Sequence, residues 1–326
     1  MDILIVLEHN QNQLNRMSWE AVTAGQNLAK DLGLSVSILV MGNEIKSLAN
    51  EAASSDVSEV LTAEHPLLKS YSADGYAQAL TQIIENENPK YVIMGHTYMV
   101  RDFMPKVSAL LKKPLLADNI SYRIDSGNLI LTKQVFSGKL VGDVIPAGDE
   151  PIIFTFQSAA FQSDDVQKGN GAEIRSVEIS LDDSMIKSTS EEPFQETATA
   201  VDLSSADLIV AVGRGIGKEE NLDLIKKLAE VLGAEIASSR PIVDSGWLPP
   251  YHQVGSSGQT VAPKMYLALG ISGAIQHVVG MKGSKNVVVI NKDPDAPLFE
   301  LADYGVVGDI LEIIPKLSEA VTQAKS

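Results

Sequence analysis

The sequence predicts an α/β protein of two domains, each built on a parallel sheet, with some antiparallel strands added to the first. Three observations predict it. The 326 residues exceed one typical domain of roughly 100–200. Short apolar runs alternate with stretches of helical period, the pattern of βαβ units with helices on both faces of a sheet. In the last third, three apolar runs each end in a Gly- or Asn-bearing loop, and in open α/β sheets ligands bind at that carboxyl edge. Apolar residues make up 44%, enough for substantial cores.

The elements follow in order. Ile3–Leu7 is a β-branched apolar run, so a strand begins at once. Ser18–Leu32 has helical spacing (Trp19, Val22, Leu28, Leu32) and Gly33 is a C-terminal stop. Val36–Met41 reads as a strand, Glu44–Ala53 as a helix, Glu59–Ala63 as a strand, Ala73–Asn86 as a helix, Tyr91–Gly95 as a strand and Asp102–Leu111 as a helix. Between Asn119 and Phe156 the pattern changes to strand runs at Leu129–Phe136 and Leu140–Ile145, parted by Gly138. Residues 161–201 are acidic and poorly periodic, although Ile174–Leu181 has the makings of a strand; the expectation is a linker or peripheral crossing. The division is thus 1–160, 161–201 and 202–326.

The second domain resumes the alternation. Asp207–Val212 is a strand, Glu219–Leu232 a helix, Met265–Leu269 a strand, Ala274–Val279 a helix start, Val287–Ile290 a strand and Asp309–Val321 a closing helix.

Composition narrows the function. Lys plus Arg is 26 against 42 Asp plus Glu, a net charge of −16. Such acidity opposes non-specific nucleic-acid binding, which needs basic surface. With no Cys, disulfides, cysteine-ligated iron–sulfur clusters and thiol nucleophiles are excluded, so redox chemistry would have to belong to a bound cofactor. The five His, at 9, 65, 96, 252 and 277, lack metal-ligand spacing, and no metal is expected. No apolar run approaches the roughly 18–20 residues of a membrane span. The opening Met-Asp-Ile-Leu-Ile-Val-Leu lacks a signal peptide's basic start, so a soluble, cytoplasmic protein is expected.

The chemistry concentrates in loops after strands. Gly213-Arg-Gly-Ile-Gly217 either lets a backbone approach an anion at a helix start or is a simple tight turn. Arg214 would meet a phosphate or a surface carboxylate. In Gly270-Ile-Ser-Gly-Ala-Ile-Gln-His277, Ser272 can cap the helix, the Ser272–Ala274 amides face its positive end, and Gln276 and His277 lie in the first turn. Ser238-Ser-Arg-Pro241, Gln253-Val-Gly-Ser-Ser-Gly258 and Asn291-Lys-Asp-Pro294 add hydroxyl and amide groups. This donor set, without a nucleophile–base pair, suggests holding a ligand rather than breaking bonds. Trp247 reads as packing and His252 as exposed. Gly95-His-Thr97 with Arg101-Asp102 reads as structural, the alternative being a nucleotide-site remnant.

Together, Gly213-Arg-Gly215, Ser239-Arg-Pro-Ile-Val-Asp244, Gln253-Val-Gly255, Val261-Ala-Pro263, Gly270–His277, Gly280-Met281, Asn291-Lys-Asp-Pro-Asp-Ala-Pro297 and Ala302-Asp-Tyr-Gly305 closely resemble the alpha (large) subunit of electron transfer flavoprotein across residues 205–315. Residues 1–160 resemble it more diffusely, through Glu8-His9, Gly95-His-Thr97 and Arg101-Asp102. The resemblance implies a Rossmann-like FAD-binding domain over 202–326. It implies a nucleotide-hydrolase-like first domain that packs on a smaller beta subunit, which itself carries AMP. The implied function is an electron carrier that takes single electrons from a dehydrogenase and hands them to an acceptor oxidoreductase. It would have no substrate chemistry of its own. An electron-bifurcating or nitrogen-fixation-linked member is the alternative.

By position, the resemblance gives Arg214 and Ser272, Gly273, Ala274 and Ile275 to the diphosphate and ribityl parts of FAD. It gives Arg240, beside Ser239, to the ring, and Ser257, in the loop of Gln253, Val254, Gly255 and Ser256, to the ring's N5. Gln276 and His277 fall to the N1/C2 side, and Asn291, Asp309 and Ile310 to the adenosine end. Arg240, Ser257 and His277 would tune the potential. Where the family often has Gln at the fourth position of the Gln-Val-Gly loop, this chain has Ser256. Two further classes are weaker: a flavin or nicotinamide oxidoreductase lacks an acid–base pair, and a nucleotide-binding regulatory module does not account for the flavin-type loops.

Overall fold

The computed structural model describes residues 1–10, 13–136, 138–188, 190, 203 and 206–325. Its contacts divide into two compact units, Met1–Pro193 and Phe194–Ser326.

The first unit opens with β1 (Ile3–Leu7), a small antiparallel pair β2 (His9–Asn10) and β3 (Gln13–Leu14), and α1 (Arg16–Leu32). The Asn15 side chain caps α1 by accepting from Met17 N, and Gly33 closes it at φ 68°. There follow β4 (Val36–Gly42), α2 (Lys46–Ala52), β5 (Glu59–Glu64), α3 (Ala73–Glu87), β6 (Tyr91–Gly95), α4 (Tyr98–Leu111), β7 (Leu115–Asp125), β8 (Asn128–Val135), β9 (Leu140–Val144), β10 (Ile152–Phe156) and β11 (Glu173–Ser176). The sheet order is β11-β5-β4-β1-β6-β10-β7-β8-β9. It is parallel from β11 through β7, with β8 and β9 added antiparallel. Alternation within each strand builds two cores. Ile3, Ile5 and Leu7 pack with α1 and α2 on one face, and Leu4 and Val6 pack with α3 and α4 on the other.

Several boundaries move for local reasons. α4 starts at Tyr98, not Asp102, because Thr97 Oγ1 accepts from Val100 N at 3.1 Å and caps it. α2 starts at Lys46, after Glu44 takes a left-handed φ of 57°. The strand expected over Ile174–Leu181 is the short edge strand β11, parallel to β5. Arg175 ties β11 down, bonding Glu59 at 2.8 Å and Glu87 at 2.9 Å. Of the expected linker, 191–201 lies outside the described residues.

Chain order reverses between β1 and β6, a switch point where ligands commonly bind. Beside it, Glu8 accepts from Asn15 Nδ2 at 3.0 Å and from the Thr97 hydroxyl. Burial pushes the Glu8 carboxyl up, against those hydrogen bonds. Asp102 accepts from the Tyr71 hydroxyl at 2.7 Å, and the Arg101 guanidinium lies 5.4 Å from the Tyr98 ring centre.

The second unit consists of β12 (Leu208–Val212), α5 (Leu222–Leu232), β13 (Glu235–Ser238), α6 (Arg240–Asp244), β14 (Met265–Leu269), α7 (Ile275–Met281), β15 (Val287–Asn291), β16 (Tyr304–Val307) and α8 (Ile310–Lys325). The sheet is wholly parallel, in the order β13-β12-β14-β15-β16. Ile209, Ala211, Tyr266 and Ala268 face one core, and Val210, Val212, Leu267 and Leu269 face the other with α5 and α8. Among the described residues no helix is long and apolar enough to cross a membrane, and no cluster of three or more His, Cys, Asp or Glu could hold a metal.

Candidate functional site

Parallel register brings the loops together. Val212 pairs with both Ser238 and Leu269, Leu269 with Ile290, and Asn291 with Val307. The next residues, Gly213, Ser239, Gly270 and Gly308, therefore emerge side by side at the carboxyl edge of this sheet, with Asn291 among them.

The glycines there separate loops that would otherwise collide. A Cβ on Gly213 would lie 2.4 Å from the Gly270 oxygen, and one on Gly215 would lie 2.7 Å from the Gly270 Cα. The amides of Gly213, Gly215, Ile216 and Gly217 all donate within the fold, to Leu269, Gly270, Gly213 and Arg214. No α-helix follows directly, because single-turn 3₁₀ segments at Arg214–Ile216 and Glu219–Asn221 precede α5. Most amides of the turn are thus spent within the fold. What it offers outward is the exposed Arg214 guanidinium, which has no carboxylate partner among the described residues.

The loop after β14 is different. Gly273, at φ 92°, lets the chain pass Leu298, whose nitrogen would lie 2.4 Å from a Cβ there, and Ser272 O accepts from Leu298 N at 3.2 Å. The amides of Ser272, Gly273, Ala274, Ile275 and Gln276 find no acceptor among the described residues. Ser272 does not cap the helix: the N-cap of α7 is Ala274, without a side-chain bond. Donors left open at a helix start suit an anionic ligand. Asn291 braces this loop, with Nδ2 donating to Ile271 O at 3.0 Å and Oδ1 accepting from Asp293 N at 3.1 Å. Asp309 accepts from Leu311 N at 2.8 Å at the start of α8. The Ile310 side chain is buried in the core against Gly270, so only its backbone reaches the edge.

Residues 238–259 fold over the same edge. Ser239 is buried at the start of α6, and the exposed Arg240 pairs with Asp244 at 3.3 Å. Val254 N donates to Ser238 O at 3.0 Å, and Ser256 N to Gln276 O at 2.7 Å. Gly255, at φ 144°, meets Gly280 so closely that a Cβ on Gly280 would lie 2.4 Å from Gly255 N. These contacts dock the turn onto α7. Within it, Gln253 Nε2 donates to Ser257 Oγ at 3.0 Å, while Ser256 and Ser257 stay exposed.

His277 is 6% exposed, and its Nε2 shares a 2.9 Å hydrogen bond with the hydroxyl of the fully buried Tyr266. Burial pushes the ring down to about 4, partly offset by the Val254 carbonyl, so it is neutral near pH 7. Sequence reasoning missed Tyr266. The signal was there: strand alternation sets it on the inner face with Ala268, and a buried phenol needs a partner. His252, expected to be exposed, is half-buried with Nδ1 2.6 Å from Ile236 O. Trp247 packs against the core beside α5. Neither histidine of this unit faces a nucleophile.

Open amides at one loop, an unpaired guanidinium at the next, two exposed hydroxyls and the exposed Gln276 form a set of outward-facing donors suited to an anionic ligand. The class this defines is a two-unit α/β protein with a donor-lined carboxyl edge on its second sheet. Residues 3–182 match the electron transfer flavoprotein domain, and residues 202–282 match the electron transfer flavoprotein FAD-binding domain. The chain is 40% identical over 322 residues to electron transfer flavoprotein subunit alpha of Bacillus subtilis (strain 168), spanning 98% of this chain and 97% of that one. It is 35% identical over 328 residues to the same subunit of Thermoanaerobacterium thermosaccharolyticum, spanning 99% and 98%. Protein FixB of Clostridium saccharobutylicum is 34% identical over 325 residues, spanning 99% and 96%. This chain belongs to the electron transfer flavoprotein alpha-subunit family.

Two predictions follow from this packing. Gly→Ala inside an exposed helix usually stabilises by about 1 kcal/mol, yet Gly280→Ala is expected to lower stability by about 1–3 kcal/mol through overpacking, read by chemical denaturation. The unfolded imidazole takes its proton near 6.5 and the folded one near 4. Protonation in that window favours the unfolded chain, so this contribution, up to about 3 kcal/mol, is present above pH 6.5 and is lost on acidification toward 4. Thermal melts across that range should lose this part of their pH dependence in His277→Gln.

Proposed function

We propose that this chain is the FAD-holding electron carrier of a heterodimer, paired with an electron transfer flavoprotein beta subunit that carries AMP. It receives single electrons from a dehydrogenase and delivers them to an acceptor oxidoreductase. The observation that carries the reading is the run of open amides at Ser272–Gln276, set beside an unpaired Arg214 on a sheet edge without a nucleophile–base pair. FAD, when bound, supplies reversible one-electron chemistry.

The chain's residues hold and tune. Arg214 and the Ser272–Ile275 amides are assigned to the diphosphate and ribityl groups, whose charge they match. Asn291, Asp309 and the Ile310 backbone are assigned to the adenosine end. Because Asn291 also braces Ile271, its loss would loosen the diphosphate loop too. Ser239, Gln253, Val254, Gly255 and Ser256 shape the turn that presents Ser257. Arg240 supplies positive charge to the ring, and Gln276 supplies polar contact on the N1/C2 side. His277, neutral and held inward by Tyr266, contributes an uncharged wall rather than a second cation. For the first unit, the reading assigns packing on the beta subunit, to which Leu140, Val141 and Ile145 offer exposed apolar surface on and just past β9.

A nitrogen-fixation-linked or bifurcating role is the second reading, distinguished by which donor and acceptor the complex serves. The chain co-purified with its partner should show one bound FAD by absorbance; steady NADH turnover of a small substrate without a partner protein would overturn the carrier role.

A unit charge 4 Å away contributes about 4 kcal/mol at an effective dielectric of 20 and about 1 kcal/mol in bulk water. Arg240 is largely exposed and paired with Asp244, which places its effect toward the lower figure. Arg240→Ala is expected to retain FAD and to make the first reduction harder by at least about 40 mV at 59 mV per tenfold, measured by dye-equilibrated titration.

A further inference from the structure

We propose that Gln253 is a positioning residue that fixes the direction of the Ser257 O–H and thereby raises the first one-electron potential of the bound flavin. The proposal rests on the FAD reading above. A serine hydroxyl has one proton and two lone pairs and rotates to suit its partners. Here Gln253 Nε2 donates to Ser257 Oγ at 3.0 Å, which occupies a lone pair and turns the hydroxyl proton away from the amide.

The turn is built to hold that geometry. Gln253 is 9% exposed at its base. Gln253 O accepts from Gln259 N at 2.8 Å, and Gly258 N donates to Gly255 O at 3.0 Å. Gly258 passes so near that a Cβ would lie 2.3 Å from Gln253 O and 3.1 Å from its Cγ. Only a glycine there leaves the Gln253 side chain its path to Ser257. The neighbouring Ser256 amide is locked on Gln276 O at 2.7 Å, so the Ser257 hydroxyl has a fixed stem as well as a fixed orientation. Ser257 itself is exposed, with its proton left for an acceptor outside the turn. A ring nitrogen that only accepts when oxidised, and accepts more strongly as electron density arrives, makes a better bond with an oriented donor than with a free rotor.

The test uses the full chain in complex with its partner subunit, as wild type, Gln253→Leu, Gln253→Glu, Ser257→Ala and the double variant Gln253→Leu/Ser257→Ala. FAD content and dissociation constant are measured beside the first midpoint potential. Gln253→Leu is expected to keep one FAD per complex with affinity within about threefold. At a fixed poise its once-reduced to oxidised ratio should fall about tenfold, which is 59 mV for one electron. Gln253→Glu nearly preserves shape but reverses polarity, because its carboxylate accepts the Ser257 proton, and the ratio should fall at least as far. On the Ser257→Ala background the Leu substitution should change the potential by less than twofold in ratio.

An unchanged potential in both single Gln253 variants overturns the proposal, as does a Leu effect of the same size with and without the Ser257 hydroxyl. Should the Leu variant not fold, the Glu variant decides by the same readout. The underlying FAD reading fails separately, on the wild type alone, if that complex holds no flavin.

Discussion

Close approach of backbone to backbone is the constraint on which the second unit depends. At its sheet edge Gly213 and Gly215 press on Gly270, Gly273 passes Leu298, and Gly255 meets Gly280, all at distances a Cβ would violate. Because these loops touch one another directly, their open donors are held without relying on flexible side chains. The edge is preorganised, and preorganisation limits the entropy lost when a large ligand is held in one pose. Asn291 reinforces this by bridging strand β15 to Ile271.

The same constraint divides the residues of this edge into those that build it and those that face outward. Gly213, Ile216, Val254, Asn291 and Ile310 are committed to neighbouring loops or to the core. Arg214, Arg240, Ser257, Gln276 and the Ser272–Gln276 amides are what the edge presents. His277 belongs between the groups: its place in the sequence puts it in the first turn of α7, but Tyr266 draws its ring inward. Among the groups the edge presents here, the amides, the hydroxyl and the carboxamide are uncharged and the two arginines are cationic.

Much of this was legible from residues alone. The inner strands of both sheets, such as Ile3–Leu7 and Met265–Leu269, are apolar runs because both faces are covered. The edge strands of the second sheet were not legible: Glu235–Ser238 is half exposed and Tyr304–Val307 is exposed along its length, so burial leaves little mark on their composition. The start of α4 was missed because one hydroxyl, that of Thr97, overrides the local pattern. Most instructive are the glycines. A glycine after a strand announces that something comes close, but not whether the visitor is a phosphate or another loop; at Gly213 and Gly215 it is another loop. Partnerships across the fold, such as Tyr266 with His277, join residues whose neighbours in sequence give no hint of each other.

Glu8 gives the first unit a different economy at its own switch point. Its carboxylate, gripped by Asn15 and by the threonine that caps α4, answers the positive end of that helix from within the chain. In that half of the molecule the chain itself supplies a carboxylate, together with its two donors, at the place where an open α/β sheet commonly receives a ligand from outside.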